Sequence, residues 1–380
     1  MLANTLDPKR FEVTLVSASL EHLFQPALLY VAFAHAMPRA VRDERRLLRR
    51  HVRLVPDTVT SIDLPAHTVR TAAGVTFGYD TLVVATGIRT DPAQIPGLPE
   101  VAERFGDYHS TLDQARKIWA QLDRFTGGTI ALGQASPVVK CPPSPIEGIL
   151  LVDQLLRSRG LRDRARLVFF TPYPRPYPAA PMNDIVEPLL KERGIEVMTF
   201  FDVDRIDVEE QTLHSIEGDE IRYDLPIVIP PFVGADIAYR PAEVLDPDRF
   251  VVTDRHTLRV AGVDDAFAIG DATNLPTSKS GVGAHLQAKV VARTISGRPA
   301  TFNGRTNCPL DLGGGRGTFV AGTYDAPVAR AAPNRLKHLM KASFARIYWL
   351  SLRGWLEPVF EVYFKATEPP VPPREPAPGP

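Results

Sequence analysis

The sequence predicts an α/β fold, and two observations support this prediction. Strand-like apolar runs alternate with segments of helix length, which is typical of a parallel sheet with crossover helices. Two of these strands run directly into glycine-containing turns, at Ala85-Thr86-Gly87 and at Gly270-Asp271, where a backbone can approach a ligand closely. The 380 residues, 44% of them hydrophobic, suffice for two or three domains with well-filled cores.

The elements follow in chain order from this pattern. The first residues are expected to form the end of a helix, closed by a turn at Asp7-Pro8. The clearest predicted strands span 11–16, 81–85, 129–132, 165–170 and 266–269. Apolar residues at helical spacing predict helices over 111–123 and 148–157, the second beginning near Ile146. Residues 68–71 and 75–77, around Ala73-Gly74, are expected to form a short hairpin.

Charge and hydropathy exclude several classes of protein. Lys plus Arg and Asp plus Glu both number 44, so the chain lacks the electrostatic footprint of a nucleic-acid-binding protein. The longest apolar stretch, 24–37, is interrupted by Gln25, Pro26 and His35, and it is too short to span a bilayer. Nothing at the start resembles a secretion signal. The proline-rich tail is predicted to be disordered.

Two cysteines in a chain of this length cannot build a disulfide framework or a four-thiolate metal site, and no metal site is predicted. Cys141 lies on a proline-stiffened loop beside Lys140 and just before a predicted helix, so its pKa is expected to be lowered. Cys308 lies between a turn at Asn303-Gly304 and a glycine-rich strand start. Taken singly, each cysteine is more often buried or incidental than functional.

Residues 127–148 contain the strand and helix of a second dinucleotide fold without its glycines. If Gly133 is the first glycine of the G-x-G-x-x-G pattern, the other two positions hold Ala135 and Val138. The next strand ends at Thr171-Pro172, where an NAD site would place an acid for the ribose hydroxyls. The sequence therefore offers no obvious seat for a nicotinamide cofactor.

The segments 79–98 and 264–273 together resemble the second and third FAD motifs of flavoprotein oxidoreductases with two dinucleotide-binding domains. The resemblance implies FAD as cofactor, with Ala85, Thr86 and Gly87 packed near it, Gly270 beside it and Asp271 on its ribityl chain. The family's first glycine motif is missing, and the strand that precedes the adenosine contact ends at Ser17 rather than at an acid. We therefore expect an N-terminally truncated sequence. The chain as given should bind FAD poorly or not at all, whereas its full-length parent should bind it.

Over roughly residues 9–365 the chain resembles the sulfide:quinone oxidoreductases. Cys141 and Glu147 keep that family's six-residue spacing, Cys308 is followed by the acidic, glycine-containing run 311–313, and the segments 223–234 and 276–292 also match. The resemblance implies that the two cysteines face the flavin and carry a bridging sulfur chain. A third cysteine often present in relatives is absent here, but it is not part of the bridging pair.

The resemblance also suggests roles for two charged residues, each with an ordinary alternative. Glu147 could shuttle protons during sulfide oxidation, a role worth about 10²- to 10⁴-fold in rate. It could equally be a first-turn carboxylate that stabilises a helix dipole. Lys279 could lie near the pyrimidine edge of the flavin, or it could be a solvated loop lysine.

The segment 334–353 predicts a basic amphipathic helix. Arg335, Lys337, Lys341, Arg346 and Arg353 supply five positive charges, and Trp349 and Trp355 suit a membrane interface. The family resemblance favours a monotopic membrane anchor, with Phe344, Tyr348 and Phe360 as candidate linings of a quinone slot. The alternative is a helix that packs on its own domain or at a dimer interface.

The sequence as a whole predicts a peripheral membrane flavoprotein that oxidises sulfide to polysulfide or sulfur and reduces quinone; it leaves the membrane face open and allows a homo-oligomer. The alternatives are a soluble flavocytochrome-type sulfide dehydrogenase, a type II NADH:quinone oxidoreductase and a flavin-free binding protein. The predicted units are two Rossmann-like, three-layer dinucleotide-binding domains and a C-terminal anchor. Their bounds are 1–106 and 229–302 for the FAD-binding domain, 107–228 for the second Rossmann-like domain, 303–365 for the C-terminal region and 366–380 for the tail.

Overall fold

The structure is a computed structural model that describes residues 1–33, 40–326, 328–329, 331–354, 358–359 and 362. The side chains of residues 344–347 lie outside the described part. This excludes the side chain of Phe344, a predicted quinone contact. The structure also does not describe the second predicted quinone contact, Phe360, the predicted interfacial Trp355 or the tail 366–380.

The helices begin where the sequence supplies capping residues. Thr111 and Asn334 each accept a hydrogen bond from a backbone N–H in the first turn of the helix that follows, as N-cap residues do. The second predicted helix begins at Ser144, before Ile146, because Pro145 fits the first turn of a helix. The α-helices of the described residues are α1 (Leu2–Thr5), α2 (Ala27–Phe33), α3 (Leu98–Phe105), α4 (Leu112–Arg124), α5 (Ser144–Ser158), α6 (Ala180–Glu192), α7 (Gly281–Ile295) and α8 (Arg335–Ser351).

All five predicted strands are present, with bounds shifted by at most two residues, and the predicted hairpin is present as an antiparallel pair. The strands of the described residues are β1 (Val13–Ser17), β2 (Glu21–Leu23), β3 (Val41–Asp43), β4 (Val52–Pro56), β5 (Val59–Asp63), β6 (Thr68–Thr71), β7 (Thr76–Gly78), β8 (Leu82–Val84), β9 (Ile88–Thr90), β10 (Gly128–Gln134), β11 (Ala165–Phe170), β12 (Glu196–Met198), β13 (Val203–Asp207), β14 (Thr212–Ser215), β15 (Glu220–Arg222), β16 (Leu225–Ile229), β17 (Phe232–Gly234), β18 (Ala238–Arg240), β19 (Ala266–Ala268), β20 (Thr306–Asp311) and β21 (Gly317–Gly322).

A parallel four-stranded sheet positions the first cysteine. Its strand order is β12-β11-β10-β16, and β10, β11 and β16 are largely buried, which explains their near-continuous apolar sequences. From β10 the chain first builds the sheet towards β12 and later returns to the other side of β10 with β16. The loop after β10 therefore leaves the sheet at a topological switch point, where α/β folds form their ligand crevices.

A second parallel pair positions the predicted cofactor turns. β8 and β19 run side by side, with Leu82 opposite Ala266 and Val84 opposite Ala268. Because parallel strands end at the same edge, the turn at Ala85-Thr86-Gly87 and the turn at Gly270-Asp271 leave the pair at the same edge. The α/β prediction is confirmed.

Helix α8 packs against the body of the protein over part of its length. Trp349 is buried, with the guanidinium of Arg42 4.6 Å from the centre of its ring. Its predicted placement at a membrane interface is wrong, because Phe24 and Tyr348 surround the ring instead. Within the described part of the chain, no helix is both long and apolar enough to cross a bilayer. The role of α8 at a membrane surface stays a prediction.

Asn4 ties the start of the chain to the end of α8. Its buried side-chain amide donates to the carbonyls of Leu47 and Leu352, each at 2.8 Å, and accepts from the N–H of Arg49. Asn4→Ala is expected to lower the free energy of unfolding by about 2 kcal/mol, because it leaves buried backbone groups without partners. Urea denaturation measures this loss. The exposed Thr5→Ala is the matched control, and equal stability of the two variants would contradict the assignment.

Candidate active site

Cys141 lies on the loop between β10 and α5, in a backbone conformation that its neighbours fix. Its N–H donates to the carbonyl of Lys279 at 2.8 Å, and its own carbonyl accepts from the N–H of Ser144 at 2.7 Å. Its φ of 56° lies in the left-handed region, which non-glycine residues seldom adopt. Such outliers persist where the surroundings impose them, and they occur often at functional sites.

Cys308 approaches the same place from β20. It is buried, it lies opposite Val320 of β21, and its Sγ is 3.2 Å from the Oγ of Ser278. Ser278 therefore contacts one cysteine while the adjacent Lys279 contacts the other. The structure thus brings the two predicted catalytic cysteines to a single short segment, 278–279.

The predicted lowering of the Cys141 pKa is wrong. Burial raises the pKa of Cys141 well above its usual value, and the nearby Cys308 and Glu147 raise it further. The ammonium of Lys140, expected to lower it, extends to the side-chain oxygen of Gln25 at 2.8 Å instead. Burial also raises the pKa of Cys308, but there the hydroxyls of Ser278 and Ser280 oppose the shift.

Glu147 occupies the first turn of α5 and is buried. Its Oε1 accepts a hydrogen bond from the N–H of Asp311 and forms an ion pair with Lys341 of α8. Burial raises the pKa of Glu147, although Lys341 opposes the shift. The carboxylate therefore lies in a desolvated setting close to both cysteines, and it is also the helix first-turn acid that the sequence allowed.

Lys341 is not part of a solvated basic face. Its side chain is about 10% exposed, and its ammonium lies 5.7 Å from the centre of the Tyr30 ring. Burial would lower its pKa, but Glu147, Tyr30 and Asp311 together raise it. The prediction of an amphipathic helix did not include the ion pair of Lys341 with Glu147. The pattern of apolar and charged residues in α8 does not indicate which of its basic side chains faces the protein interior.

The cofactor turns have the open backbone that the sequence predicts. Ala85 and Thr86 are exposed, and Gly87, with a φ of 67°, has no atom near the position where a Cβ would stand. Gly270 also has a positive φ of 70°. Burial raises the pKa of Asp271, while the nearby Lys140 and Lys279 lower it. These groups at one sheet edge are compatible with a bound polyol and a flat ring.

Two other predicted contacts are already engaged within the protein. The ammonium of Lys279 donates to the carbonyls of Asp271 and Thr273 and lies 4.0 Å from the centre of the Phe250 ring. Ser17 ends β1, which pairs with β4, and its hydroxyl donates to the carbonyl of Ser19. Their cofactor contacts stay predictions.

A cavity of about 800 Å³ opens beside Cys308, and Val139 and Pro142, on either side of Cys141, also line it. Tyr177 lines this cavity and is buried. Burial raises its pKa well above the usual value, and both cysteines add to the shift. Sequence reasoning missed Tyr177 and Ser278. Residues 171–179 carry no motif that marks Tyr177, and Ser278 lies in the matched segment 276–292 without a distinguishing pattern of its own.

Comparison with known proteins identifies the family to which this chain belongs. The family model described as pyridine nucleotide-disulphide oxidoreductase matches residues 1–292. The chain belongs to this family. Its relatives include the mitochondrial sulfide:quinone oxidoreductases of Mus musculus and Dictyostelium discoideum. The first is 28% identical over 92% of this chain and 82% of its own length, and the second is 27% identical over 79% and 69%.

Among solved structures, the sulfide:quinone oxidoreductase of the hyperthermophilic bacterium Aquifex aeolicus shares the fold. It has a TM-score of 0.79 and 21% identity, and the match covers 94% of this chain and 90% of that one. The predicted resemblance to sulfide:quinone oxidoreductases is confirmed, and the chain is an oxidoreductase of the pyridine nucleotide-disulphide type.

Proposed function

We propose that this protein oxidises sulfide to polysulfide or sulfur with FAD as its cofactor and transfers the electrons to a membrane quinone. The observation that supports this function most directly is the convergence of Cys141 and Cys308 on segment 278–279. That segment is itself bonded to the backbone of Asp271. Two thiols are thus held beside the edge where the cofactor turns meet. The names of the mouse and Dictyostelium relatives are consistent with the same activity.

Several residues fit the flavin half of FAD. Gly87 has a positive φ and open space beside its backbone, and the half-buried carboxylate of Asp271 can accept hydrogen bonds from a ribityl chain. Held by these residues, FAD would supply a two-electron acceptor for sulfide oxidation and an electron donor for the quinone. The residues assigned to hold it are Ala85, Thr86, Gly87, Gly270, Asp271 and Lys279, with Ser17 towards the adenosine.

The cysteine pair supplies the electrophilic sulfur. In the oxidised protein a disulfide or trisulfide joins Cys141 to Cys308, and hydrosulfide attacks one of its sulfur atoms. From a disulfide, the attacked sulfur–sulfur bond breaks, a persulfide forms on one cysteine, and the other cysteine leaves as a thiolate that carries the electron pair. From a trisulfide attacked at a cysteine sulfur, the same persulfide forms and the other cysteine leaves as a persulfide anion. The buried setting disfavours the charged thiolate, so nearby donors are needed to stabilise it.

Glu147 is assigned to proton transfer. Hydrogen sulfide must lose a proton before it attacks, and the desolvated carboxylate can accept that proton because burial raises its pKa. Lys341 holds the carboxylate in place through their ion pair. The same carboxyl can later protonate a leaving sulfur.

The surface around α8 is assigned to the membrane and the quinone. Leu336 and Leu339 are 66% and 60% exposed on the helix, and large exposed apolar side chains often mark an interaction surface. Tyr348 packs on Phe24 with ring centres 4.4 Å apart. This aromatic pair is assigned to the wall of a quinone-binding slot. The second dinucleotide fold lacks its glycines, which disfavours a nicotinamide as the electron partner.

The test is an anaerobic assay of the full chain reconstituted with FAD. Sulfide is expected to bleach the visible flavin absorption, and a short-chain ubiquinone analogue is expected to restore it. NADH is expected to leave the spectrum unchanged. The matched control is the same protein after alkylation of its thiols, which should bind FAD but not respond to sulfide.

Each other outcome indicates a different protein. Bleaching by NADH would indicate a type II NADH:quinone oxidoreductase. Reoxidation by a c-type cytochrome but not by quinone would indicate a flavocytochrome-type sulfide dehydrogenase. Absence of bound flavin even at saturating FAD would contradict the proposed redox activity of this chain and favour a flavin-free binding protein.

A further inference from the structure

The segment 278–280, which contacts both cysteines, carries the hydroxyl groups of Ser278 and Ser280. Ser278 Oγ lies 3.2 Å from Cys308 Sγ. Two residues later Ser280 caps α7, since its Oγ accepts the N–H of Gly283. Between them, the backbone carbonyl of Lys279 accepts a hydrogen bond from the N–H of Cys141. The backbone of this segment is therefore fixed by both the cysteine loop and the helix, and the Ser278 hydroxyl is held against sulfur.

The two cysteines differ in what stabilises a negative charge on them. The hydroxyls of Ser278 and Ser280 both favour the thiolate of Cys308, which also lies close to the N-terminal end of α7. Glu147 disfavours and Lys341 favours the thiolate of both cysteines, so the serine hydroxyls beside Cys308 are what distinguishes the two. A hydrogen bond to an ionised sulfur is stronger than one to a neutral thiol. The pair is therefore electrostatically asymmetric.

We propose that Ser278 is a positioning residue for Cys308, and that its hydroxyl donates to the sulfur and stabilises negative charge on it. The role of Ser278 in sulfide oxidation rests on the proposed function. In that reaction Ser278 would stabilise Cys308 whenever its sulfur carries a negative charge. Within the described part of the chain, titratable groups that interact with this sulfur lie on four elements. They are Cys141 on the loop before α5, Glu147 on α5, Tyr177 on the loop before α6 and Lys341 on α8.

The test measures alkylation of Cys308 and needs neither sulfide nor FAD. The chain contains two cysteines, so Cys141→Ser leaves Cys308 as its one thiol. In this background, Ser278→Ala is expected to slow reaction with iodoacetamide about fivefold to tenfold at about pH 7, the size expected for one lost charge-assisted hydrogen bond. The rate at the high-pH plateau is expected to stay the same. Ser278→Thr, which keeps the hydroxyl, should retain the original profile.

Controls separate ionisation from access and from folding. Thr277→Ala removes a neighbouring hydroxyl on the cavity wall and should leave the profile unchanged, and thermal unfolding checks each variant. If Ser278→Ala slows alkylation by the same factor at every pH, the residue controls access alone and the inference is overturned. An unchanged profile would overturn it as well. The proposed function fails separately, by the absence of sulfide-dependent bleaching in the unsubstituted protein.

Discussion

Cys308→Ser is expected to abolish sulfide-dependent reduction of quinone, with a loss of at least about 10³-fold, because serine cannot form the sulfur bridge that hydrosulfide attacks. Cys141→Ser is expected to have the same effect. Since the two sulfurs act as one unit, the double variant should be no slower than either single one. Stopped-flow measurement of flavin bleaching at saturating sulfide gives the rates.

The control for this prediction is Thr306→Val, which alters another cavity-lining residue on the strand that carries Cys308. This variant should retain most of the activity, and all variants should bind FAD equally. Serine variants that bleach at the unsubstituted rate would exclude a bridging sulfur chain. Variants that have lost FAD would have to be compared at matched flavin content before the rates are interpreted.

The fold and the position of one cysteine follow from local sequence. β10, β11 and β16 are continuous apolar runs because both faces are covered, and such runs between helix-length segments predict a parallel sheet. Once the strand before Cys141 is known, the switch-point rule places the following loop at a ligand crevice. The parallel pairing of β8 with β19 likewise explains why two distant glycine turns belong to one edge.

The arrangement around the thiols does not follow from local sequence. Glu147 and Lys341 are 194 residues apart, and a lysine on an amphipathic helix gives no local sign that it faces a buried acid. The sequence neighbour of Cys141 is Lys140, but side chains of adjacent residues diverge, and Lys140 contacts Gln25. The pKa of a thiol depends on its desolvation, which a motif does not report. Ser278 contacts Cys308 because β20 packs on α7, a long-range contact that the local sequence does not indicate.

The buried pair of Glu147 and Lys341 leads to the second large prediction. Lys341→Met is expected to lower the free energy of unfolding by about 3–5 kcal/mol, because it leaves a buried carboxylate without its cation. Glu147→Gln combined with Lys341→Met should recover most of the loss, since glutamine can still accept from the N–H of Asp311. Arg335→Met, an exposed change on the same helix, is the control. Urea denaturation provides the comparison.

The effect of Lys341→Met should depend on pH in a defined direction. Burial already raises the pKa of Glu147 above its usual 4.5, and loss of Lys341 removes the largest opposing influence, so the folded-state pKa rises further. A folded protein that holds a proton more tightly than the unfolded chain loses stability as the pH rises from the unfolded pKa to the folded one. The variant should therefore be closer to the unsubstituted protein at about pH 5 than at about pH 8. Equal losses at both pH values would show that packing of the lysine stem, rather than its charge, holds α8 against α5.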